Sequence, residues 1–126
     1  MVRRLGHELF VAQAELARAP SAPRPEPTIT GRHVERLEKE IDLFDARHPP
    51  HAGFVLPAGS TPASALHVAR TVARRAEREL AALNREEAVD PALLAWANRL
   101  SDLLFALALA TNHALGVAEI APKYDA

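Results

Sequence analysis

Proline decides where this chain can be regular. Pro20, Pro23, Pro25 and Pro27 crowd one stretch, Pro49 and Pro50 another, and Pro57, Pro62, Pro91 and Pro122 stand singly. Proline lacks an amide hydrogen and its ring collides with the preceding turn, so helices accept it readily only in their first turn. Four windows remain, at about residues 2–19, 31–47, 61–87 and 91–115, and each reads as a helix. The first gap, residues 20–29, is an extended Pro-rich linker.

Periodicity inside the windows agrees. Val2, Leu5, Leu9 and Leu16, with Phe10 and Ala12 beside them, approximate one face of a 3.6-residue repeat. Val34, Leu37, Ile41 and Phe44 follow a Thr30 cap at the 3-4-3 spacing of a bundle seam, with Glu35 and Lys39 paired on the wet face. In the third window Ser60 or Thr61 is the cap, and Leu66, Ala69, Ala73, Ala76, Leu80 and Leu83 form an expected core line whose small residues imply close approach. Asp90-Pro91 opens the fourth helix and Gly116 ends it; about 25 residues span roughly 37 Å. The connecting loop 51–60 carries Phe54, Val55 and Leu56, apolar enough to be expected to pack. Apolar residues make up 48% of the chain but aromatics only 5%, so Ala and Leu dominate and favour helix over strand. The expected fold is a single all-α domain, an antiparallel four-helix bundle.

Composition narrows the function classes. A formal charge of −1 gives no global field for nucleic acid or anionic lipid. The absence of cysteine excludes disulfides, thiolate zinc sites and a cysteine nucleophile, and it fits a reducing compartment. Met1-Val2-Arg3-Arg4 resembles the start of a secretory signal, but Glu8, Glu15 and Arg18 interrupt the apolar run that should follow. The apolar run Leu103 to Ala110 is far short of the ~20 residues of a membrane span. The expectation is a cytoplasmic protein with a small-molecule ligand and no nucleic-acid or membrane partner. The six histidines show no metal-ligand spacing, and no Gly-rich phosphate loop or nucleophile–base pair is present, so no metal ligands are named.

Chemistry concentrates in two places. Arg70, Arg74 and Glu77 fall at i, i+4 and i+7 on the third helix, with His67 one turn earlier. Two guanidiniums in line suit an anion, because their forked donors match phosphate oxygens. From spacing alone, such a face reads first as ordinary solvated charge and only second as a site. Asn98 and Asp102 are i,i+4 neighbours in the apolar fourth helix, where polar groups need partners. They read either as a ligand site or as a structural network tying that helix to the arginines of the third.

Three blocks carry a resemblance: Phe54-Val55-Leu56-Pro57-Ala58-Gly59-Ser60, then Leu66-His67-Val68-Ala69-Arg70-Thr71-Val72-Ala73-Arg74-Arg75-Ala76-Glu77-Arg78, then Asn98-Arg99-Leu100-Ser101-Asp102-Leu103-Leu104-Phe105. In order and spacing they resemble the propanediol-utilisation type of ATP:cob(I)alamin adenosyltransferase. The resemblance implies a ferritin-like helical bundle assembled as a homotrimer. It implies transfer of the 5′-deoxyadenosyl group of ATP to the reduced cobalt of cobalamin, with Mg²⁺. By position, Phe54 would lie against the corrinoid's lower face, Arg74 and Asn98 would contact the ATP phosphates, and Glu77 the nucleotide or its metal. Arg70 would form an intersubunit ion pair and Asp102 would support the nucleotide site.

The family's opening Thr-x-Thr-Gly-Asp-x-Gly-x-Thr loop and first helix have no match in these residues, and Ala58 and Leu109 replace a usual Gly and Arg. The expectation is therefore a nucleotide site lacking many of its backbone donors, and a groove that another copy, a separate chain or an apolar ligand would cover. Three functions follow as alternatives: a corrinoid adenosyltransferase, a bundle repurposed for another ligand without ATP, and a non-catalytic corrinoid-binding protein.

Overall fold

The computed structural model describes residues 1–125, in which four helices follow one another: α1 (Val2–Ala17), α2 (Gly31–Asp45), α3 (Thr61–Glu86) and α4 (Pro91–Ala114). Each stops one or two residues inside its expected window, where the last turn lacks onward partners. The caps explain the starts. The Ser60 hydroxyl accepts from the Ala63 amide at 3.3 Å and the Asp90 carboxylate from the Ala92 amide at 2.8 Å, each just ahead of or beside a proline in the first turn. At α2 the Thr30 amide donates to Nδ1 of His33 at 3.0 Å. Gly116, at φ +70°, carries the left-handed turn that releases the chain from α4.

Side-chain pairs set the helix directions. Trp96 of α4 bonds Glu8 of α1, while Arg24 links Glu15, near the foot of α1, to Asp90 at the head of α4. Arg4 near the head of α1 reaches Glu40 toward the foot of α2, so α1 runs against both. Ser60 at the head of α3 meets Asn112 near the foot of α4, and Glu77 meets Asn98, so α3 and α4 are antiparallel as well. The result is an up-down-up-down bundle with α4 at its centre. Leu37 and Leu103 are fully enclosed, with Leu5, Ala12, Leu93, Trp96 and Leu100 around them. Each such leucine contributes about 1.5–3 kcal/mol by leaving water. By length and composition α4 could cross a membrane, but half of its apolar window is buried inside the bundle, as in the core helix of a water-exposed domain.

Two helix faces differ from the sequence reading. On α1 the inward residues are Leu5, Glu8 and Ala12, while Val2, Leu9, Phe10 and Leu16 are exposed. The inward line tolerates Glu8 because Trp96 Nε1 donates to it at 2.9 Å and Arg4 neutralises it. On α3 the inward line is Ala63, His67, Ala73 and Leu80, while Val68, Ala69, Val72, Ala76 and Leu83 are exposed. The helix is rotated so that Arg70 and Glu77, both half-buried with partners, are more enclosed than Ala69 and Ala76.

The Pro-rich linker is strapped to the bundle. Arg24 binds Asp90 at the head of α4 and lies 3.5 Å from Glu15, which also accepts from the Ile29 amide. Ile29 is consequently 1% exposed.

Candidate functional site between α3 and α4

Glu77 and Asn98 are the centre of the site. Asn98 Nδ2 donates to Glu77 Oε1 at 2.9 Å, joining the two helices midway along their length. The second carboxylate oxygen, Glu77 Oε2, is buried with no partner. A buried carboxylate oxygen without a donor costs roughly 1–3 kcal/mol, so it is poised to take a ligand hydroxyl, a water or a cation. One turn before Glu77 stands Arg74, exposed, and among the described residues no hydrogen bond or ion pair engages it.

Arg99, which the sequence reading did not single out, holds the other side of Asn98. Its guanidinium donates to Asn98 Oδ1 from Nε at 3.1 Å and from a second nitrogen, and lies 3.2 Å from Asp102 Oδ2. Asp102 therefore pairs along its own helix, not with an arginine of α3. The expected tie between α4 and the arginines of α3 is instead the Glu77–Asn98 bond. An i,i+1 contact such as Asn98–Arg99 has no periodic signature, which is why spacing could not show it.

Arg70 points away from Arg74. Its Nε lies 3.4 Å from Nδ1 of His67, and its guanidinium sits over the Phe105 ring at 5.7 Å. The two arginines thus share a helix face without forming one clamp. His67 is 3% exposed and packs edge-on against Phe105. With Nδ1 accepting, Nε2 carries the hydrogen and is buried without a partner. Burial, then the neighbouring Arg70 charge, push the His67 pKa below its ordinary 6.5, with Glu119 opposing. A depressed histidine pKa gives stability that is fully present above 6.5 and is lost as pH falls through the lower folded value. Urea midpoints measured stepwise from neutral toward acid should therefore fall more steeply for the unaltered protein than for His67→Leu. Parallel slopes would remove His67 from the acid response.

Phe54 lies at the other end of the site. Contrary to the expectation that the loop's apolar residues pack, its ring is 79% exposed and only Val55 and Ala58 are half-buried. The ring borders a cleft of about 490 Å³ whose walls include His51, Leu109, His113 and the tail residues Val117 and Glu119. The loop is held by its backbone: the Leu56 amide donates to the Ile120 carbonyl at 2.8 Å, and Asn112, wholly buried, takes the Ser60 amide at 2.9 Å. Asn112 extends the inward line of α4 beyond Leu109, a polar residue in an apolar stripe that spacing could have revealed.

A sequence profile for cobalamin adenosyltransferase matches residues 1–111. The chain belongs to the cobalamin adenosyltransferase family. Among its relatives it is 47% identical over 107 residues to the corrinoid adenosyltransferase PduO of Citrobacter freundii, an alignment covering 84% of this chain and 32% of that protein. It is 40% identical over 114 residues to the corrinoid adenosyltransferase of Bacillus subtilis, covering 90% of this chain and 58% of that one. The chain thus spans only part of the length of these curated relatives. The fold superposes on a variant of the PduO-type ATP:corrinoid adenosyltransferase of Lactobacillus reuteri complexed with cobalamin and ATP, with a TM-score of 0.86 at 33% identity over 96% of this chain and 67% of that one. Another variant of that enzyme, complexed with ATP, gives 0.87, also at 33% identity, over 96% of this chain and 68% of that one.

Proposed function

We propose that this chain is a corrinoid adenosyltransferase that moves the 5′-deoxyadenosyl group of ATP to the reduced cobalt of cobalamin, releasing triphosphate. The observation that carries the reading is the pairing of Glu77 with Asn98 beside an unengaged Arg74. The orphaned Glu77 oxygen and the free guanidinium fit a nucleotide: Arg74 and Asn98 bind phosphate oxygens, and Glu77 takes Mg²⁺ or a nucleotide hydroxyl. Binding ATP supplies an activated C5′ whose leaving group is the triphosphate, and Arg74 steadies the negative charge that grows there. Arg99 and Asp102 fix the Asn98 amide, so that its orientation is set before the ligand arrives. Phe54, on the rim of the 490 Å³ cleft, presents an apolar face to the corrinoid.

The choice of Phe54 and Arg74 draws on a matching spacing in similar structures. The Lactobacillus reuteri structures alter a phenylalanine in one case and an arginine twenty positions further on in another, the separation of Phe54 and Arg74 here. The exposed lines Leu9–Phe10 on α1 and Val68–Val72 on α3 are apolar faces that suit subunit contact, so we read the working form as a homotrimer, with Arg70 available to an acidic group of a neighbouring copy or of a separate chain.

The test is direct. The protein mixed with cob(I)alamin, Mg²⁺ and ATP should shift the cobalt absorption spectrum to that of the adenosylated form. An unchanged spectrum, combined with no ATP binding by calorimetry, would overturn the reading in favour of a bundle that uses this cleft for another ligand.

A further inference from the structure

We infer that Asn112 is a positioning residue for the loop that presents Phe54, an inference that rests on the corrinoid reading of that loop. A single buried amide holds three separate segments together. Its Oδ1 accepts from the Ser60 amide at 2.9 Å and from the Ser60 hydroxyl at 2.8 Å. Its Nδ2 donates to the Ala58 carbonyl at 3.0 Å and to Glu119 Oε1 at 3.0 Å. Both acceptor sites and both donor hydrogens are thereby used, and the residue is 0% exposed. The first two bonds lock the cap of α3, the third locks the end of the Phe54 loop, and the fourth locks the tail that forms the opposite wall of the cleft.

Gly59 shows how tight this arrangement is. It has φ +119°, and a Cβ there would overlap the Asn112 amide. The loop backbone therefore lies directly on the amide, with no side chain between. One further bond, Leu56 amide to Ile120 carbonyl at 2.8 Å, ties loop to tail between Phe54 and the clamp. Loop and tail thus move as one body, and the height of the Phe54 ring over the cleft is set by Asn112 without Asn112 touching the ligand. The Arg74–Glu77–Asn98 group shares none of these bonds. The clamp should therefore govern the corrinoid side of the reaction and leave the nucleotide side alone. Misplacing a group by about 1 Å can cost on the order of 100-fold in rate.

The experiment uses Asn112→Asp and the pair Asn112→Asp/Glu119→Gln. The single change keeps the acceptor for Ser60 but removes both donors and sets a carboxylate against Glu119. The pair restores one donor across the same gap, now from residue 119. Amide exchange on the protein without ligand should show faster exchange at Leu56 in the single variant, with recovery in the pair, and no change at Ser60, whose acceptor is kept, or around Asn98. In the adenosylation assay the single variant should raise the corrinoid KM about tenfold or more with the ATP KM unchanged, and the pair, which regains the tail contact but not the bond to Ala58, should reverse part of that rise. Equal rises in both KM values, no rise in either, or no recovery in the pair would overturn the inference. If the unaltered protein takes no corrinoid, the proposed function and the corrinoid role of the clamp fail together. The exchange data then still decide whether Asn112 fixes the loop.

Discussion

Arg74→Ala should lower the adenosylation rate by about 100- to 1,000-fold and leave the thermal midpoint where it was. The two halves of that result come from the same observation. Arg74 is exposed, and no side chain or carbonyl among the described residues engages it, so removing the guanidinium breaks nothing in the bundle. Surface changes of this kind stay within about 0.5 kcal/mol of stability. A guanidinium held for a developing phosphate charge contributes only when that charge appears, which is why the loss falls on the rate. Arg74→Lys keeps the charge but not the forked donors, so it should recover part of the rate and less of the ATP affinity. Stopped-flow absorbance for the rate and calorimetry for ATP, on protein of checked midpoint, separate these outcomes. A rate within a few-fold of the unaltered protein would place the phosphates elsewhere.

Much of this site was legible before any coordinates. The i,i+4,i+7 spacing put Arg70, Arg74 and Glu77 on one face, and the rule that buried polar groups need partners singled out Asn98. For the α3 face spacing alone favoured plain solvation, and only the family resemblance makes it the proposed ligand site. Rotation was the part that spacing misjudged. Of the expected α3 line, Leu66, Ala73 and Leu80 are half-buried, whereas Ala69, Ala76 and Leu83 face outward. The inward line instead contains His67, because a histidine partnered by Arg70 and Phe105 can be buried while Val68 stays wet. The same happened on α1, where Glu8 is 6% exposed and Phe10 is 72% exposed. Periodicity identifies a face only if apolar residues alone are buried, and in both helices a paired polar residue broke that condition. Asn112 carried a signal of its own, a polar residue on the apolar line of α4, but its three partners, Ala58, Ser60 and Glu119, lie in loop and tail, where spacing does not say what it binds.

Trp96→Ala should give the reverse of Arg74→Ala, a large loss of stability with chemistry preserved in the molecules that stay folded. Trp96 is 2% exposed, and its indole fills the space between α4 and α1. Truncating such a side chain costs about 3–5 kcal/mol in lost burial and residual cavity. The indole N–H is also the donor to Glu8 Oε2 at 2.9 Å, and withdrawing it from a carboxylate that is 6% exposed adds about 1–3 kcal/mol. Against a total of about 5–15 kcal/mol for a domain, that approaches unfolding. Trp96→Phe distinguishes the two causes, since it keeps most of the ring and removes only the donor. It should cost less than half as much, read as urea midpoints at neutral pH. Equal losses in the two variants would show that the Glu8 bond, not packing, holds α1 to α4. The chemistry should survive because Trp96 and Asn98 lie two residues apart on a helix, hence on opposite sides of α4. One side anchors α1 and the other carries the Glu77 pair, so α4 can lose grip on the first while still presenting Asn98 to the second.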